Sequence, residues 1–256
     1  MENVKTKLLD NGIRVIVKRM EGLLSVTMGV LVGAGSAYET DQEDGISHFL
    51  EHMQFKGTDK RTAFEISDAF DALGAQVNAF TGKDVTCYYA KATVDHAAEA
   101  FGLLADLFLN SRFPEEELER ERGVVLEEIN MDEDSPEDLC LDLLSRAAFG
   151  GDNYGRNILG PAENVKRFAR EDLFRYRDEL YAPENVVVSF AGNISVETAL
   201  KLTEEYFGKM KPTGFRKREK RVKFLSGRQF KKKPIEQAHF AVGFPAAPRD
   251  NESVPA

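Results

Sequence analysis

The chain has 256 residues, 42% hydrophobic and 30% charged, which is enough apolar material for one large or two modest cores and too much for a disordered protein. Its formal net charge of -9, from 34 Lys and Arg against 43 Asp and Glu, disfavours nucleic acid as a default partner, because phosphate contacts need basic surface. One segment departs from that average: residues 209–233 hold twelve Lys or Arg and a single acid, Glu219, so the rest of the chain carries 22 basic and 42 acidic residues.

The first thirty residues carry Asp10, Arg14, Lys18, Arg19 and Glu21 among short apolar runs. They show no signal-peptide pattern, and no stretch approaches the ~18 apolar residues of a membrane span. A cytoplasmic location with no membrane partner is the expectation. TKLLDNGIRVIVKRM reads as a β-hairpin turning at Asp10, Asn11 and Gly12. SVTMGVLVGAG is a third strand starting at Ser25, followed by the polar loop AYETDQEDG. The apolar period then changes, and ISHFLEHMQF reads as a helix from about Gly45 to Phe55. TAFEISDAFDALG is an amphipathic helix closed by Gly74, and AQVNAFTGKDVTCYYAKAT a hairpin turning near Gly82 and Lys83. Helices are predicted over 96–110 and 114 to about 132, and Ser135-Pro136-Glu137-Asp138 is a cap that starts another. NVVVSFAGNI is a strand, and a last helix covers about 196–207.

Hairpins interleaved with helices predict an α+β fold, a mixed and largely antiparallel sheet packed with helices. Residues 1–208 form the main domain, and the basic stretch 209–233 reads as an interdomain linker. Residues 234–256 share with the segment after Ser25 a strand, a small-residue turn and an acidic loop, and so read as the first strand of a second, repeat-related domain. Cys87 and Cys140 are too few for a disulfide framework and lack metal-ligand spacing, so both are expected as reduced core residues. Phe215, Phe224 and Phe230 in the basic segment can stack on bases, but a solvated linker or a strip facing the acidic body explains the charge with less.

HFLEH places two of the chain's four histidines, His48 and His52, one helical turn apart. On a helix they project about 40° from each other, with Glu51 about 60° to the other side of His48, so the three share one face. Two imidazoles so placed can reach one ion. Catalytic zinc takes three protein ligands and a water, and a carboxylate beside that water can remove its proton. The bland alternative is a core helix in which Phe49, Leu50 and Met53 pack while the histidines merely hydrogen-bond. His96 and His239 offer no such pattern for a third ligand. ELERERGVVLEEIN does: Glu121, Val124, Val125 and Glu128 follow i, i+3, i+4, i+7 and put two carboxylates on a valine stripe, where burial is costly without a cation or metal. Pairing of those acids with Arg120 or Arg122, or a solvated stripe, is the alternative.

HxxEH is the inverzincin signature. GISHFLEHMQFKGT, followed about 75 residues later by ELERERGVVLEEI, resembles the family of pitrilysin, insulysin and the mitochondrial processing peptidases. VNAFTGKDVTCYYAK, NYGRNILGPAENV, LYAPENVVVSFAGNI and HFAVGFP also resemble stretches of its smaller bacterial members. The resemblance implies a zinc-dependent endopeptidase acting on extended peptides and holding one zinc per chain. His48, His52 and Glu128 would be the ligands, Glu51 the general base and Glu121 a carboxylate that helps fix the site. It further implies that the strand around Asn78, Ala79 and Phe80 is an edge that pairs with substrate, although as sequence it is only half of a hairpin. Gln54 stands where the family has an apolar or small residue, a change expected in the wall of a substrate pocket. Members of this type are about twice as long, with a second half that closes over the substrate and supplies an arginine and tyrosine pair. The resemblance therefore implies a second domain in cis or a partner chain, a dimer included. The rival reading is a non-catalytic scaffold or assembly subunit of a processing-peptidase-like complex.

Overall fold

The computed structural model describes residues 4–151, 153–219 and 222–247. The hairpin at the start is β1 (Val4–Leu8) and β2 (Arg14–Arg19), turned by Gly12 at φ 96°, a left-handed conformation that favours glycine. β3 (Ser25–Val32), β4 (Gln76–Thr81), β5 (Thr86–Thr93) and β6 (Val186–Gly192) complete one six-stranded sheet in the order β1-β2-β6-β3-β5-β4. Every pairing is antiparallel except β2 with β6. The class is thus the mixed, largely antiparallel α+β sheet expected.

Alternation along the strands decides which face is covered. Val15, Val17, Val26, Met28, Val30, Tyr88, Ala90, Val188 and Phe190 are buried, while their neighbours Thr27, Lys91 and Ala191 are exposed. The buried face receives α1 (Ile46–Gln54), α2 (Ala63–Ala72), α3 (Ala97–Asn110) and α8 (Val196–Phe207); α4 (Glu115–Asp134) and α7 (Arg170–Leu180) pack on α1, and α5 (Pro136–Phe149) and α6 (Ala162–Arg167) pack on α4. Aromatic rings join the layers: Phe101 lies 4.9 Å from Phe190 and 5.9 Å from Phe207, and Tyr88 lies 5.9 Å from Phe108. Full burial of one such ring contributes about 2–3 kcal/mol.

The turn between α3 and α4 aims the long α4 helix. Phe113 is fully buried with φ 46°, a left-handed conformation for a non-glycine residue. Arg177 lies over its ring at 5.4 Å and Arg170 donates to its carbonyl at 3.0 Å, so neighbours enforce the bend.

Several expectations change. The helices α6 and α7 occupy a stretch in which no element was predicted, although Leu173, Tyr176 and Leu180 carry a buried helical stripe. Val124 is exposed, and only Val125 of the pair is buried. Gln54, the last residue of α1, is fully buried, with its amide nitrogen 3.5 Å from the Phe108 carbonyl. Cys87 is buried, but Cys140 on α5 is only half-buried. Among the described residues after Gly208, no helix or strand forms; of the segment 234–256 expected to open a second domain, residues 248–256 lie outside the described residues. The basic segment does lie against the acidic body: Arg218 pairs with Glu43 at 2.6 Å and Glu179 at 2.7 Å, its guanidinium 5.6 Å from the Tyr176 ring.

Candidate metal centre

Helix α1 has nine residues, too few to be stable alone in water, and tertiary contacts hold it. Phe49, Leu50 and Met53 are fully buried on one side and leave His48, Glu51 and His52 to the other. α4 crosses this polar side. His48 Nε2 stands 3.7 Å and His52 Nε2 3.5 Å from Glu128 Oε2, and the three donor atoms lie within 4.8 Å of one another. Ligands at zinc bond lengths in a tetrahedral shell sit about 3.4 Å apart, so this donor set fits such an ion with little movement.

Glu121, about two turns before Glu128 on the same stripe of α4, is buried and bridges two partners: His52 Nδ1 at 3.0 Å and Lys56 Nζ at 2.6 Å. Its bond to Nδ1 directs the other ring nitrogen of His52 at Glu128. Glu128 is 38% exposed through its side chain, so it stands at the open end of the stripe and not in the core. Neither acid pairs with Arg120 or Arg122, which bond to Glu116, Glu117 and Glu119 on their own helix.

His48 is not a satisfied core residue. His48 Nδ1 is buried and has no hydrogen-bond partner among the described residues. Burial, assisted by the charge of His52, pushes His48 down to about 3, so the ring stays neutral and keeps a lone pair available. For His52 burial works downward as well, but the Glu121 bond and the charges of Glu128, Glu121 and Glu51 outweigh it and raise the ring. Burial raises Glu51 against the opposing Thr81 hydrogen bond and the His52 charge, which makes it a better proton acceptor than an exposed carboxylate. Thr81 Oγ1 donates to Glu51 Oε2 and holds that side chain toward the end of β4.

β4 is an edge strand, paired only with β5. Asn78 and Phe80 face outward from it, and Ala79 and Thr81 lie on the half-buried side nearer α1. Asn78 Oδ1 takes the Ala79 N–H at 2.8 Å. The sequence reading missed Thr81, which only the strand alternation running on from Ala79 marks, and Lys56, which lies one turn beyond His52.

A helix-covered mixed sheet, with a histidine pair and two carboxylates gathered beside a free strand edge, is a domain built around a candidate metal centre. The sequence pattern of the family described as Insulinase (Peptidase family M16) matches residues 14–162, and the chain belongs to that family. The pattern of the Peptidase M16 inactive domain matches residues 167–255. The chain is 45% identical over 245 residues to a Bacillus subtilis protein named as an uncharacterized zinc protease, YmxG, covering 94% of this chain and 59% of that one. It is 39% identical over 202 residues to a probable mitochondrial-processing peptidase subunit beta of Arabidopsis thaliana, covering 79% of this chain and 38% of that one. Among solved structures, a protease from Helicobacter pylori superposes with a TM-score of 0.81 at 24% identity, over 86% of this chain and 54% of that one. A putative M16-like peptidase from Alicyclobacillus acidocaldarius gives 0.73 at 28% identity, over 82% and 50%. The chain spans about 60% of the length of the bacterial relative. No helix among the described residues is long and apolar enough to cross a membrane.

Proposed function

We propose that this chain is the zinc-binding part of a zinc-dependent endopeptidase that hydrolyses extended peptides. The observation that carries the reading is the convergence of His48, His52 and Glu128, donors from two helices, beside Glu51. His48, His52 and Glu128 would hold the zinc, which when bound would supply a Lewis acid able to polarise the scissile carbonyl and make water acidic. Glu51 takes the proton of the attacking water and later gives it to the leaving amine, and Thr81 holds its carboxylate in place meanwhile. Glu121 keeps His52 in the tautomer whose Nε2 faces Glu128. The free edge of β4 at Asn78, Ala79 and Phe80 receives the peptide backbone as an added strand, which makes recognition tolerant of side chains.

The relatives' extra length supports a further half, in cis, as a partner chain or as a second copy, that closes over the substrate. On this reading residues 209–233 are the linker between halves and 234–256 open the second one. The rival, a non-catalytic subunit, draws on the inactive-domain match, but that match covers 167–255, downstream of every residue in the candidate centre.

Metal analysis of the purified chain tests the reading. One zinc per chain is expected, lost in His48→Ala and His52→Ala. Stoichiometric zinc that persists at undiminished affinity in Glu128→Gln removes Glu128 from the site.

A further inference from the structure

We propose that Glu39, a residue remote in sequence from the metal motif, is the positioning residue of the zinc helix: its buried carboxylate clamps the first turn of α1 and so determines where His48 stands relative to His52. The proposal rests on the metal reading above.

The first turn of any helix leaves backbone N–H groups unpaired, and the residue before it normally supplies a side-chain acceptor. Here that residue is Gly45, at φ 97° and without a side chain. It cannot be exchanged for a capping Ser or Asp, because a Cβ there would lie 2.5 Å from the Leu159 carbonyl oxygen and 3.0 Å from Gly160 Cα. The acceptor comes instead from six residues upstream. Glu39 Oε2 accepts from Gly45 N and Glu39 Oε1 from Ser47 N, each at 2.8 Å, and the side chain is 4% exposed. Both oxygens of one carboxylate are thus spent on two amides of one turn. An anion at that end is also favoured by the helix dipole.

The clamp matters for the site because of where His48 sits. It is the third residue of the nine-residue α1, between Ser47, which Glu39 holds, and the turn that carries Glu51 and His52. His48 has no hydrogen bond through Nδ1, so its ring is placed by backbone and packing. If the first turn frays, His48 moves while His52, fastened by Glu121, stays. The two donors then separate. A second contact braces the same turn from outside: Ser47 Oγ meets Tyr176 Oη at 2.7 Å in a buried bond to α7. Burial pushes the Glu39 carboxyl up to about 7 against the opposing hydrogen bonds from Ser47 and Gly45, and the ionised form is the one that accepts from both amides. Glutamine is nearly isosteric but can accept from only one of the two and turns an NH2 toward the other.

The test is zinc affinity of the purified chain by competition with a chromogenic chelator, with amide hydrogen exchange at Gly45, Ser47 and His48 measured on the metal-free protein. Glu39→Gln should weaken zinc about 10-fold or more, within the ~10–100-fold range typical of outer supports of metal ligands, and should speed exchange at those amides. Glu39→Asp, which keeps the charge but is one methylene short, should give an intermediate loss. Leu202→Ala, a core deletion in α8 away from the site, serves as a stability control and should lower the melting temperature without changing zinc affinity. Unchanged affinity and exchange in Glu39→Gln, or an equal loss of affinity in Leu202→Ala, overturns the proposal. A parent chain that takes up no zinc overturns the metal reading itself, a result distinguishable because the parent is measured first.

Discussion

Replacing Glu121 with alanine removes one buried carboxylate that serves two cationic or protonated groups at once. His52 Nδ1 loses an acceptor at 3.0 Å and Lys56 Nζ one at 2.6 Å. The acid's side chain is 8% exposed, so water does not readily replace it at either partner. A hydrogen bond to a charged group contributes about 1.5–3 kcal/mol, and the two here share one carboxylate, so their losses do not simply add. The share felt at the metal is the freedom of the His52 ring to turn and to shift its proton to Nε2. Supports of that kind are typically worth ~10–100-fold in affinity, about 1.4–2.7 kcal/mol. Glu121→Ala should therefore weaken zinc by that range, with Glu121→Gln, which retains one acceptor, losing less. The assay is chelator competition at equal protein concentration, with the circular dichroism spectrum as a check on folding. A Glu121→Ala chain that folds like the parent and holds zinc within twofold of its affinity refutes the view that Glu121 orients His52.

Three further outcomes follow from the same geometry. Glu51→Gln should leave zinc bound but lower peptide turnover of the complete protein by ~100-fold or more, read as kcat at saturating substrate. The 256-residue chain alone should bind zinc yet hydrolyse a peptide library weakly or not at all, because the edge of β4 is open to water on its far side, and adding the remaining half should restore the rate; equal rates with and without it would sink the two-half reading. Arg218→Ala should lower stability by about 1–3 kcal/mol in denaturant unfolding, since Arg218, itself little exposed, bridges the largely buried Glu43 and the half-exposed Glu179. Burial acts to raise Glu43, but the Arg218 hydrogen bond and charge, together with the Thr40 hydrogen bonds, outweigh it and hold the carboxyl below its ordinary 4.5; the stabilisation is therefore fully present above 4.5, and the gap between parent and variant should narrow as pH falls below 4.5 through the lowered value.

Local rules carried the reading far where one element contains the whole signal. The i, i+3, i+4 spacing of His48, Glu51 and His52 needs only a helix to bring the three together, and the apolar positions Phe49, Leu50 and Met53 say which side of that helix is buried. The hairpin turn at Gly12, the cap at Ser135 and the alternation in β3, β5 and β6 are equally local, and each stands where the residues place it. The helix of residues 170–180 is a different case. Its buried stripe of Leu173, Tyr176 and Leu180 was present in the sequence, but abundant charge between those positions obscured it.

Tertiary structure decided everything that depends on two distant segments meeting. Residues on one helix cannot state which partner crosses it, so the 3.5 Å approach of Glu128 to His52 had to come from the bend at Phe113 that aims α4. The same holds for β4, whose residues read as half of a hairpin until the strand order left its second side free. Valines 124 and 125 look alike on a helical wheel, yet only one is buried, because the width of a buried stripe depends on the neighbour and not on the period. Glu39 shows the limit most clearly. In sequence it is one more acid in a polar loop; folded, it is the buried acceptor for two amides of α1, because Leu159 and Gly160 leave no room at position 45 for a cap of the helix's own.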